Sequence, residues 1–404
     1  MGGARSVVVI KVGGSCLAEG RTIKTIVEKI TRVRKKGLLP VVVVSALKGM
    51  TDSLMDVAVN TKGKNPGHVD SILSEGEQLS ARILESALTN SGLKSKALQV
   101  NDNFPIITDE QHGQAEILID ETKRQTKKVL LPLINKKITP IVPGFIGKTK
   151  TGKVTTIGRG GSDTTAVVLG RILQPKEVIL LKDVKGILSA DPKTVSTARK
   201  LGEITVEEAL NLSIKGGEVL CQSSLMYKTD EVNVRIVNFD NGDLLTSGTL
   251  VTGSLKNNVD VKISGGKSAV SVIGKRMDEM PGLLGLFSET MAKNKINIHS
   301  LSASKYSICF YVDQHNRTKS LKILHNLVQK HRGLTAVTSI KDIALVTVTG
   351  RDFAVKRGVL SRIGRLMAKN DINIVDISTS GCEAAILVDE KNAKKAKKIL
   401  EVSL

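Results

Sequence analysis

Short apolar runs alternate with longer amphipathic stretches in the first part of the chain. Residues 6–12 (SVVVIKV) form an apolar run typical of a buried strand, and two glycines follow it. Apolar residues then recur at helical spacing over residues 23–33, with lysines and arginines between them. Residues 41–45 (VVVVS) form a second apolar run. This order predicts a β-α-β unit within a mainly parallel α/β sheet.

The same pattern predicts further elements downstream. Apolar runs indicate strands at residues 138–142 and 177–181, and helical periodicity indicates helices at 69–90 and 162–173. The polar stretch 148–156 (KTKTGKVTT) is typical of a hairpin. Around residues 253–266 the composition changes to Gly, Ser, Asn and Lys, which predicts a domain boundary. We therefore expect one α/β domain over residues 1–255.

Beyond this boundary the chain repeats itself. Residues 282–304 (GLLGLFSETMAKNKINIHSLSAS) align with residues 358–380 (GVLSRIGRLMAKNDINIVDISTS) at an offset of 76 positions. Each copy predicts a strand, a glycine loop, a helix, two strands and a helix. Two copies indicate a pair of small α+β modules, at residues 264–338 and 339–404, because a solenoid needs three or more repeats.

The composition restricts both the core and the partners. Aromatic residues make up 2% of the 404 residues and tryptophan is absent, so Val, Ile, Leu and Ala must fill the core, as in buried parallel sheets. The net charge of +21 could attract nucleic acid. The lysines are spread along the whole chain, however, and side chains that stack on bases are scarce. A generally basic surface is the favoured interpretation, and nucleic-acid binding is the minority alternative.

Cysteine and histidine spacing argues against a disulfide scaffold and against a zinc site. The four cysteines (Cys16, Cys221, Cys309 and Cys382) lie far apart without a C-x-x-C pair, and the six histidines show no metal-ligand spacing. No apolar run has the length of a signal peptide core or of a membrane span. We expect reduced thiols, a cytoplasmic location, no membrane association and no metal held by the protein alone.

The stretch TTIGRGGSDTTA, residues 155–166, is the richest candidate for chemistry. Ser162 and Asp163 are good helix caps, but capping does not explain Arg159 between glycines. A guanidinium on a glycine-lined loop suits a two-point grip on a carboxylate. Asp163 nearby would hold an ammonium. The stretch therefore predicts a site for an α-amino acid that has a side-chain carboxylate.

A second candidate, KVGGS at residues 11–15, follows the first predicted strand. Glycines let the backbone approach a ligand, and N–H groups at a helix start bind phosphate. Lys11 could neutralise phosphoryl oxygens there. The alternative is an ordinary glycine turn beside a solvated lysine.

Three further stretches are weaker candidates. Ser45 lies at the carboxyl end of the second strand, where open α/β sheets bind ligands, while Thr51 could serve only as a cap. Glu77 has small neighbours on a predicted helix and could approach a ligand amine, or could be a solvated helix glutamate. Asp183 follows a strand and could orient a metal-bound nucleotide, or could decorate a turn.

Together these motifs resemble those of the aspartate kinases. K-x-G-G-S, V-S-A-x-x-x-M-T-D, S-x-G-E-x-x-S-A, G-R-G-G-S-D-T-T-A and D-V-x-G-I-x-S-A-D-P occur in that family's order. The C-terminal repeats resemble ACT domains. The resemblance implies an amino-acid-kinase fold, a mainly parallel sheet sandwiched by helices, followed by two ferredoxin-like ACT domains. It also implies MgATP-dependent phosphorylation of L-aspartate to 4-phospho-L-aspartate, the first step toward lysine, threonine and methionine.

The family's roles are carried over to the matching positions. Lys11, Arg159 and Asp163 would be catalytic: Lys11 would lie between aspartate and the γ-phosphate, Arg159 would grip a substrate carboxylate, and Asp163 with Glu77 would fix the amino group. The implied substrate-binding residues are Ser45, Thr51, Glu77, Arg159, Ser162 and Asp163. The implied nucleotide-binding residues are Lys11, Gly13, Gly14, Ser15, Lys182, Asp183 and Lys193. The implied effector-binding residues are Met280, Gly282, Leu283, Leu284, Asn297, Ile298 and His299.

The resemblance further implies ATP and Mg²⁺ as cofactors, feedback by lysine or threonine, and a homo-oligomer, dimeric or larger, paired through its ACT domains. Three departures from the family pattern affect these expectations. Lys182 and Lys185 stand where the family's T-D-V-D-G-V-Y has threonine and aspartate. Glu218 replaces a lysine that would meet the nucleotide, and His299 replaces an aspartate common in lysine-sensing relatives. A kinase of another acidic amino acid, such as glutamate, and a catalytically weak amino-acid sensor remain alternatives.

Overall fold

The computed structural model describes residues 6–60, 65–214, 220–240, 243–255, 259–350, 353 and 358–404. The chain forms two compact units, Met1–Leu255 and Lys256–Leu404. Each unit has its own sheet and its own hydrophobic core.

A mainly parallel sheet forms the centre of the first unit. Among the described residues it has the strand order β3-β5-β2-β1-β8-β10-β11-β9, and each neighbouring pair is parallel except β10 with β11. Its strands are β1 Val7–Val12, β2 Leu39–Val44, β3 Ser95–Ala97, β5 Thr139–Pro143, β8 Val178–Lys182, β9 Glu203–Thr205, β10 Val234–Asn238 and β11 Thr249–Thr252. A smaller sheet contains β4 Ile107–Thr108, β6 Ile146–Thr149 and β7 Val154–Thr156. The predicted α/β class is confirmed.

Helices pack against this sheet and bury its apolar strands. They are α1 Gly20–Lys35, α2 Met50–Asn60, α3 Pro66–Asn90, α4 Ile119–Asn135, α5 Gly161–Leu173, α6 Val206–Ile214 and α7 Gln222–Tyr227. Every residue of β1 is buried, which explains why its sequence is a continuous apolar run around one lysine. The core under α1 and α3 consists mainly of aliphatic side chains, as the scarcity of aromatics predicts.

The predicted elements of this unit agree with the structure within a few residues. The expected strand at 6–12 is β1, the expected helices at 69–90 and 162–173 are α3 and α5, and the expected hairpin is formed by β6 and β7. Helix α4 and strand β10 were not predicted. Since β1 and β8 are adjacent and parallel, with Val12 opposite Leu181, their carboxyl ends meet at one edge of the sheet.

The second unit contains one antiparallel sheet in the order β13-β14-β12-β15-β17-β16, within the described residues. Its strands are β12 Asp260–Gly274, β13 Ser300–Ala303, β14 Ser307–Asp313, β15 Leu334–Thr349, β16 Ile374–Ser380 and β17 Glu383–Asp389. Its helices are α8 Leu283–Lys293, α9 Arg317–Lys330, α10 Val359–Lys369 and α11 Glu390–Ser403. Each repeat thus has the predicted order of strands and helices.

The two repeats share strands β12 and β15. The first part of β12 pairs with the strand that opens the second repeat, as in Val261 with Val348. The later part of β12 pairs with the strand that closes the first repeat, as in Val272 with Val337. The ranges 264–338 and 339–404 therefore do not enclose self-contained sheets, and as domain boundaries they stay predictions.

The last helix places its lysines as the sequence indicates. In α11, Ala393, Ala396 and Leu400 are buried in the core of the second repeat, while the lysine-rich face points outward. No helix in the described part of the chain is long and apolar enough to cross a membrane.

Candidate active site

Three ionic side chains meet at the carboxyl edge of β1 and β8. Asp163, in the first turn of α5, has Oδ1 2.8 Å from Lys11 Nζ and Oδ2 2.7 Å from Lys182 Nζ. The side chains of Lys11, Lys182 and Asp163 are 9%, 16% and 3% exposed. One carboxylate therefore holds two lysines in fixed positions in a poorly solvated place.

The ionisation of Asp163 follows from its neighbours. Burial alone would raise the pKa of its carboxyl group, but Lys11 and Lys182 outweigh burial and lower the pKa to about 2. Because both oxygens already meet a lysine, the geometry favours Asp163 as the residue that positions the two cations. The predicted grip of Asp163 on a substrate ammonium stays a prediction.

Glu77 is a buried carboxyl group on the face of α3 that meets the loop after β2. The Ala46 N–H donates to its Oε1 at 3.4 Å, and an added Cβ on Gly76 would lie 3.0 Å from Ala46 Cβ. Its Oε2 is buried without a hydrogen-bond partner among the described residues. Burial raises the pKa of Glu77 to about 8. Once ionised, such a buried carboxylate is well suited to receive an ammonium, and a bound ammonium would in turn favour the ionised form.

Close packing explains the glycines around this edge. An added Cβ on Gly14 would lie 2.5 Å from the Ala46 carbonyl oxygen, and one on Gly13 would lie 3.2 Å from that of Leu181. The Ser45 N–H donates to the Val12 carbonyl at 3.2 Å. Gly13, Gly14 and Ser45 therefore lie at the same edge of the sheet as Lys11, and their ligand-binding roles stay predictions.

The glycine loop before α5 carries Arg159, whose side chain is exposed. The Cys221 thiol donates to the Arg159 carbonyl at 3.0 Å and fixes the loop backbone. Ser162 is buried, and an added Cβ on Gly144 would lie 2.7 Å from Ser162 Cβ, which places Ser162 at the end of β5. The predicted contact between Arg159 and a substrate carboxylate stays a prediction.

A second polar cluster supports this loop, and the sequence analysis missed it. Asp70 on α3 is buried and accepts from the Thr156 hydroxyl at 2.6 Å and the Gly113 N–H at 3.2 Å. Its Oδ2 also lies 2.7 Å from His112 Nδ1. Thr156 is three residues before Arg159, so Asp70 anchors the start of the glycine loop. Because Asp70 and His112 are distant in sequence, no local pattern indicated the pair.

The remaining predicted residues are less closely connected to the lysine pair. Ser15 lies in the 3-10 turn Gly14–Leu17, and Asp183 is exposed one residue beyond β8. Thr51 is half-buried in the first turn of α2. Lys193 is exposed, and its backbone N–H donates to Asp191 at 2.9 Å. Their nucleotide-binding and substrate-binding roles stay predictions, and Glu218 lies outside the described residues.

The predicted effector residues lie in the first repeat. Met280, Leu283 and Ile298 pack in one core, and Gly282 has a positive φ of 81° at the start of α8. Leu284 and Asn297 are exposed. His299 Nε2 lies 3.0 Å from Asp313 Oδ1 and 3.2 Å from the buried Lys267 Nζ. Their role in binding an effector stays a prediction.

Gly160→Ala is expected to damage the glycine loop. Gly160 has a φ of 71°, and an added Cβ would lie 2.2 Å from Cys221 Cβ. The backbone cost and the clash together should lower the free energy of unfolding by about 2–3 kcal/mol and kcat/KM by about 100-fold. Chemical denaturation and steady-state kinetics measure both. The control is Gly92→Ala, at a φ of 87° with no atom within 4 Å of the added Cβ; equal losses in both variants would refute the clash.

Comparison with known proteins agrees with this architecture. The profile of the amino acid kinase family matches residues 6–238, and an ACT domain profile matches residues 270–327. A mainly parallel sheet with a lysine pair at its carboxyl edge, followed by an ACT-type unit, defines the class as a small-molecule kinase with a regulatory domain.

Full-length relatives specify the family. An aspartate kinase of Pseudomonas fluorescens is 30% identical, with 98% of this chain and 97% of the relative covered. An aspartate kinase of Pseudomonas putida is also 30% identical, with the same coverage. The chain belongs to the aspartate kinases of the amino acid kinase family, and the resemblance noted in the motifs is confirmed.

Solved structures show the same fold. The aspartate kinase from Synechocystis superposes with a TM-score of 0.80 at 23% identity, over 98% of this chain and 68% of that one. Escherichia coli aspartokinase III in complex with aspartate and ADP gives a TM-score of 0.56 at 23% identity, over 98% of this chain and 99% of that one.

Proposed function

We propose that this protein transfers the γ-phosphoryl group of ATP to the side-chain carboxylate of L-aspartate and forms 4-phospho-L-aspartate, the first step toward lysine, threonine and methionine. The observation that carries the proposal is the poorly solvated Lys11–Asp163–Lys182 cluster at the carboxyl edge of the sheet. It supplies fixed positive charge where an α/β sheet binds its ligands. The full-length similarity to aspartate kinases supports the choice of substrate.

The transfer reaction requires neutralisation of negative charge and does not require a general base. An aspartate side chain has a pKa of about 3.9, so the nucleophile is already ionised at neutral pH. A carboxylate oxygen bonds to the γ-phosphorus, the bond from that phosphorus to the bridging oxygen breaks, and the electron pair stays on ADP. No proton moves in this step. Lys11 counters the repulsion between the carboxylate and the phosphoryl group, while Asp163 keeps Lys11 in place.

The carboxyl and guanidinium groups around the lysines would orient the substrate. Glu77, which has one buried oxygen without a hydrogen-bond partner in the described part of the chain, would accept the α-ammonium of aspartate. Arg159, exposed on its glycine loop, would reach a carboxylate of the same substrate. An amino acid with a side-chain carboxylate matches this combination of a carboxyl group, a guanidinium and two lysines.

Magnesium would arrive with the nucleotide. Mg²⁺ is commonly held by substrate phosphates together with one or two carboxylates. Asp183, exposed one residue beyond β8, would supply such a carboxylate. When bound, the ion would neutralise part of the phosphate charge. The protein residues would orient the triphosphate against β1 and β8.

The ACT-type unit would provide feedback control by an amino acid, lysine or threonine, through the first repeat around Gly282 and His299. ACT modules that pair between chains would make the protein a homo-oligomer, dimeric or larger. We also propose a cytoplasmic location, which the four widely spaced cysteines support.

The assay is hydroxamate trapping of the acyl phosphate with MgATP and L-aspartate, run beside L-glutamate and with each of lysine, threonine and methionine. We expect hydroxamate from aspartate and inhibition by one of the three. Product from glutamate alone would make the protein a kinase of a different acidic amino acid. No product with any nucleotide, together with calorimetric binding of an amino acid only, would make it a sensor and would refute the proposal.

A further inference from the structure

We propose that Asp70 is a positioning residue for the amino-acid substrate. It ties the loop that carries Arg159 to the helix that carries Glu77, and so fixes the spacing between the two groups that would hold the substrate. The proposal rests on the proposed function, because it assumes that Glu77 binds the ammonium and Arg159 a carboxylate of L-aspartate. Asp70 is 1% exposed. It acts through the backbone of the loop and not on the reacting atoms.

The carboxylate of Asp70 receives hydrogen bonds from two different loops. The Thr156 hydroxyl, at the end of β7, donates to Oδ1 at 2.6 Å. The Gly113 N–H, in the loop between β4 and α4, donates to Oδ2 at 3.2 Å, and His112 Nδ1 lies 2.7 Å from the same oxygen. Thr156 is 1% exposed, like Asp70 itself. One side chain of α3 therefore fixes the position of both loops.

The loop between β4 and α4 in turn supports the glycine loop. The Ala115 N–H donates to the Thr156 carbonyl at 2.9 Å. An added Cβ on Gly158, at a φ of 89°, would lie 3.4 Å from the Gly113 carbonyl oxygen. Gly113 thus donates to the carboxylate on α3 and also packs against the residue just before Arg159. The start of the glycine loop is therefore held through one side chain, one backbone carbonyl and one packed glycine.

Helix α3 connects this anchor to the predicted ammonium acceptor. Asp70 and Glu77 are seven residues apart in the sequence. Seven residues make nearly two turns, so the two side chains lie on the same face of the helix, about 10 Å apart along its axis. The helix is continuous from Pro66 to Asn90, and both carboxyl groups are buried. A rigid helix therefore sets the distance from Glu77 to the anchored end of the glycine loop.

A hydrogen-bonded anchor fixes a distance more closely than apolar packing does. Replacing a buried ionic group by apolar side chains often leaves stability unchanged, so stability alone does not explain a buried carboxylate at this place. The oxygens of Asp70 instead hold Thr156 and Gly113 at the length of a hydrogen bond. A displacement of about 1 Å in a substrate-positioning group can lower the rate about 100-fold. A loop that presents a guanidinium to a small amino acid needs such a constraint.

The positioning role predicts a loss that affects the amino acid and spares the nucleotide. Lys11, which would face the phosphate, is fixed within β1 and by Asp163. Thr156→Val removes the hydroxyl that donates to Asp70 and keeps the branched shape of the side chain. The start of the glycine loop then gains freedom, while Lys11 keeps both of its supports. A general loss of packing would weaken the binding of both substrates.

The experiment compares substitutions that differ in the hydroxyl group at one position. Thr156→Val removes the donor, and Thr156→Ser keeps it. Asp70→Asn is the second variant should Thr156→Val not fold, because its amide oxygen still accepts from Thr156 while its amide nitrogen cannot accept from Gly113. Thr149→Val is the control, since Thr149 is also buried in the smaller sheet and its hydroxyl accepts from the Lys153 N–H at 3.0 Å in the β6–β7 hairpin.

We expect Thr156→Val to raise the KM and the dissociation constant for L-aspartate about 30-fold, with the KM for MgATP and the affinity for ADP within about twofold of wild type. Asp70→Asn should change the same quantities in the same direction. Thr156→Ser should stay within about threefold of wild type, because its hydroxyl still reaches Asp70. Thr149→Val should match wild type for both substrates, even where urea denaturation shows a loss of stability. Hydroxamate formation gives the KM values, and calorimetry gives the affinities for aspartate and ADP.

Three results would overturn the proposal: wild-type affinity for aspartate in folded Thr156→Val protein, an equal loss of ADP affinity, or a serine variant as impaired as the valine variant. The criteria for aspartate and ADP apply equally to Asp70→Asn. If wild-type protein binds aspartate but does not phosphorylate it, the proposed function fails, while the calorimetric affinities still decide the role of Asp70. Wild-type protein that binds no aspartate would overturn both.

Discussion

Replacing Asp163 with asparagine is expected to lower kcat by about 1,000-fold and the free energy of unfolding by about 3–5 kcal/mol. The substitution leaves Lys11 and Lys182 side by side without their shared counter-ion. Both ammonium groups then repel each other in a poorly solvated place and turn away from the phosphoryl position. Urea denaturation gives the stability, and hydroxamate formation gives kcat.

Asp243→Asn is the matched control for this change. Asp243 pairs with Lys36 on the surface, where both side chains are at least 40% exposed. Exposed pairs contribute about 0–1 kcal/mol, so this variant should stay close to wild type. A loss below about 1 kcal/mol in Asp163→Asn would contradict the counter-ion role. Lys182→Gln placed on top of Asp163→Asn should recover part of the stability, because it removes the repulsion.

The lowered pKa of Asp163 also predicts how the free energy of unfolding falls at low pH. The pKa of Asp163 is lowered in the folded protein from its ordinary 3.8 to about 2. Its contribution to stability is therefore complete above about pH 4 and is lost as the pH falls through 2. Asp163→Asn should remove this part of the acid dependence.

Glu77→Gln is expected to stabilise the protein while it impairs substrate binding. The pKa of Glu77 is raised by burial from 4.5 to about 8. Between these values the folded protein holds a proton that the unfolded chain releases, so Glu77 costs stability as the pH rises from 4.5 to 8. The amide carries no charge at any pH. Its advantage should be about 1 kcal/mol at pH 5 and about 5 kcal/mol at pH 9.

Substrate binding, in contrast to stability, should be impaired in the Glu77→Gln variant. If Glu77 accepts the aspartate ammonium, the glutamine variant should raise the KM for aspartate about 30-fold, the worth of a hydrogen bond to a charged group. In the wild type, KM for aspartate should fall as the pH rises toward 8 and Glu77 ionises. Glu75→Gln, exposed on the same helix, is the control for both measurements. A variant with wild-type KM would show that the ammonium binds elsewhere.

The family, the fold class and the strongest motifs could be predicted from the sequence because each depends on local order. The run at β1 is apolar around one lysine because the whole strand is buried, and the apolar, small-residue sequence of α5 follows from burial on nearly every side of that helix. The repeat at an offset of 76 residues indicated the second unit directly. Glycines beside Lys11 and Arg159 were informative because close approach of backbones leaves no room for a side chain.

Contacts between residues that are far apart in the sequence could not be predicted from local patterns. Asp163 was expected to hold a substrate ammonium, but the parallel pairing of β1 and β8 brings Lys11 and Lys182 to its two oxygens. Asp70 and His112 carry no local signal, since only the packing of α3 against the loop between β4 and α4 joins them. The exchange of strand segments between β12 and β15 was missed for the same reason.

By itself the sequence determined which residue types stand at the ends of strands and in glycine loops, and therefore the class of chemistry. Only the tertiary structure decided which charges face one another and which of them lose their water. An ionic group acts through distance and solvation, and both are set by packing between segments that the chain order keeps apart. Lys182 illustrates that difference, because in sequence it is a lysine at a strand end and in space it shares the carboxylate of Asp163 with Lys11.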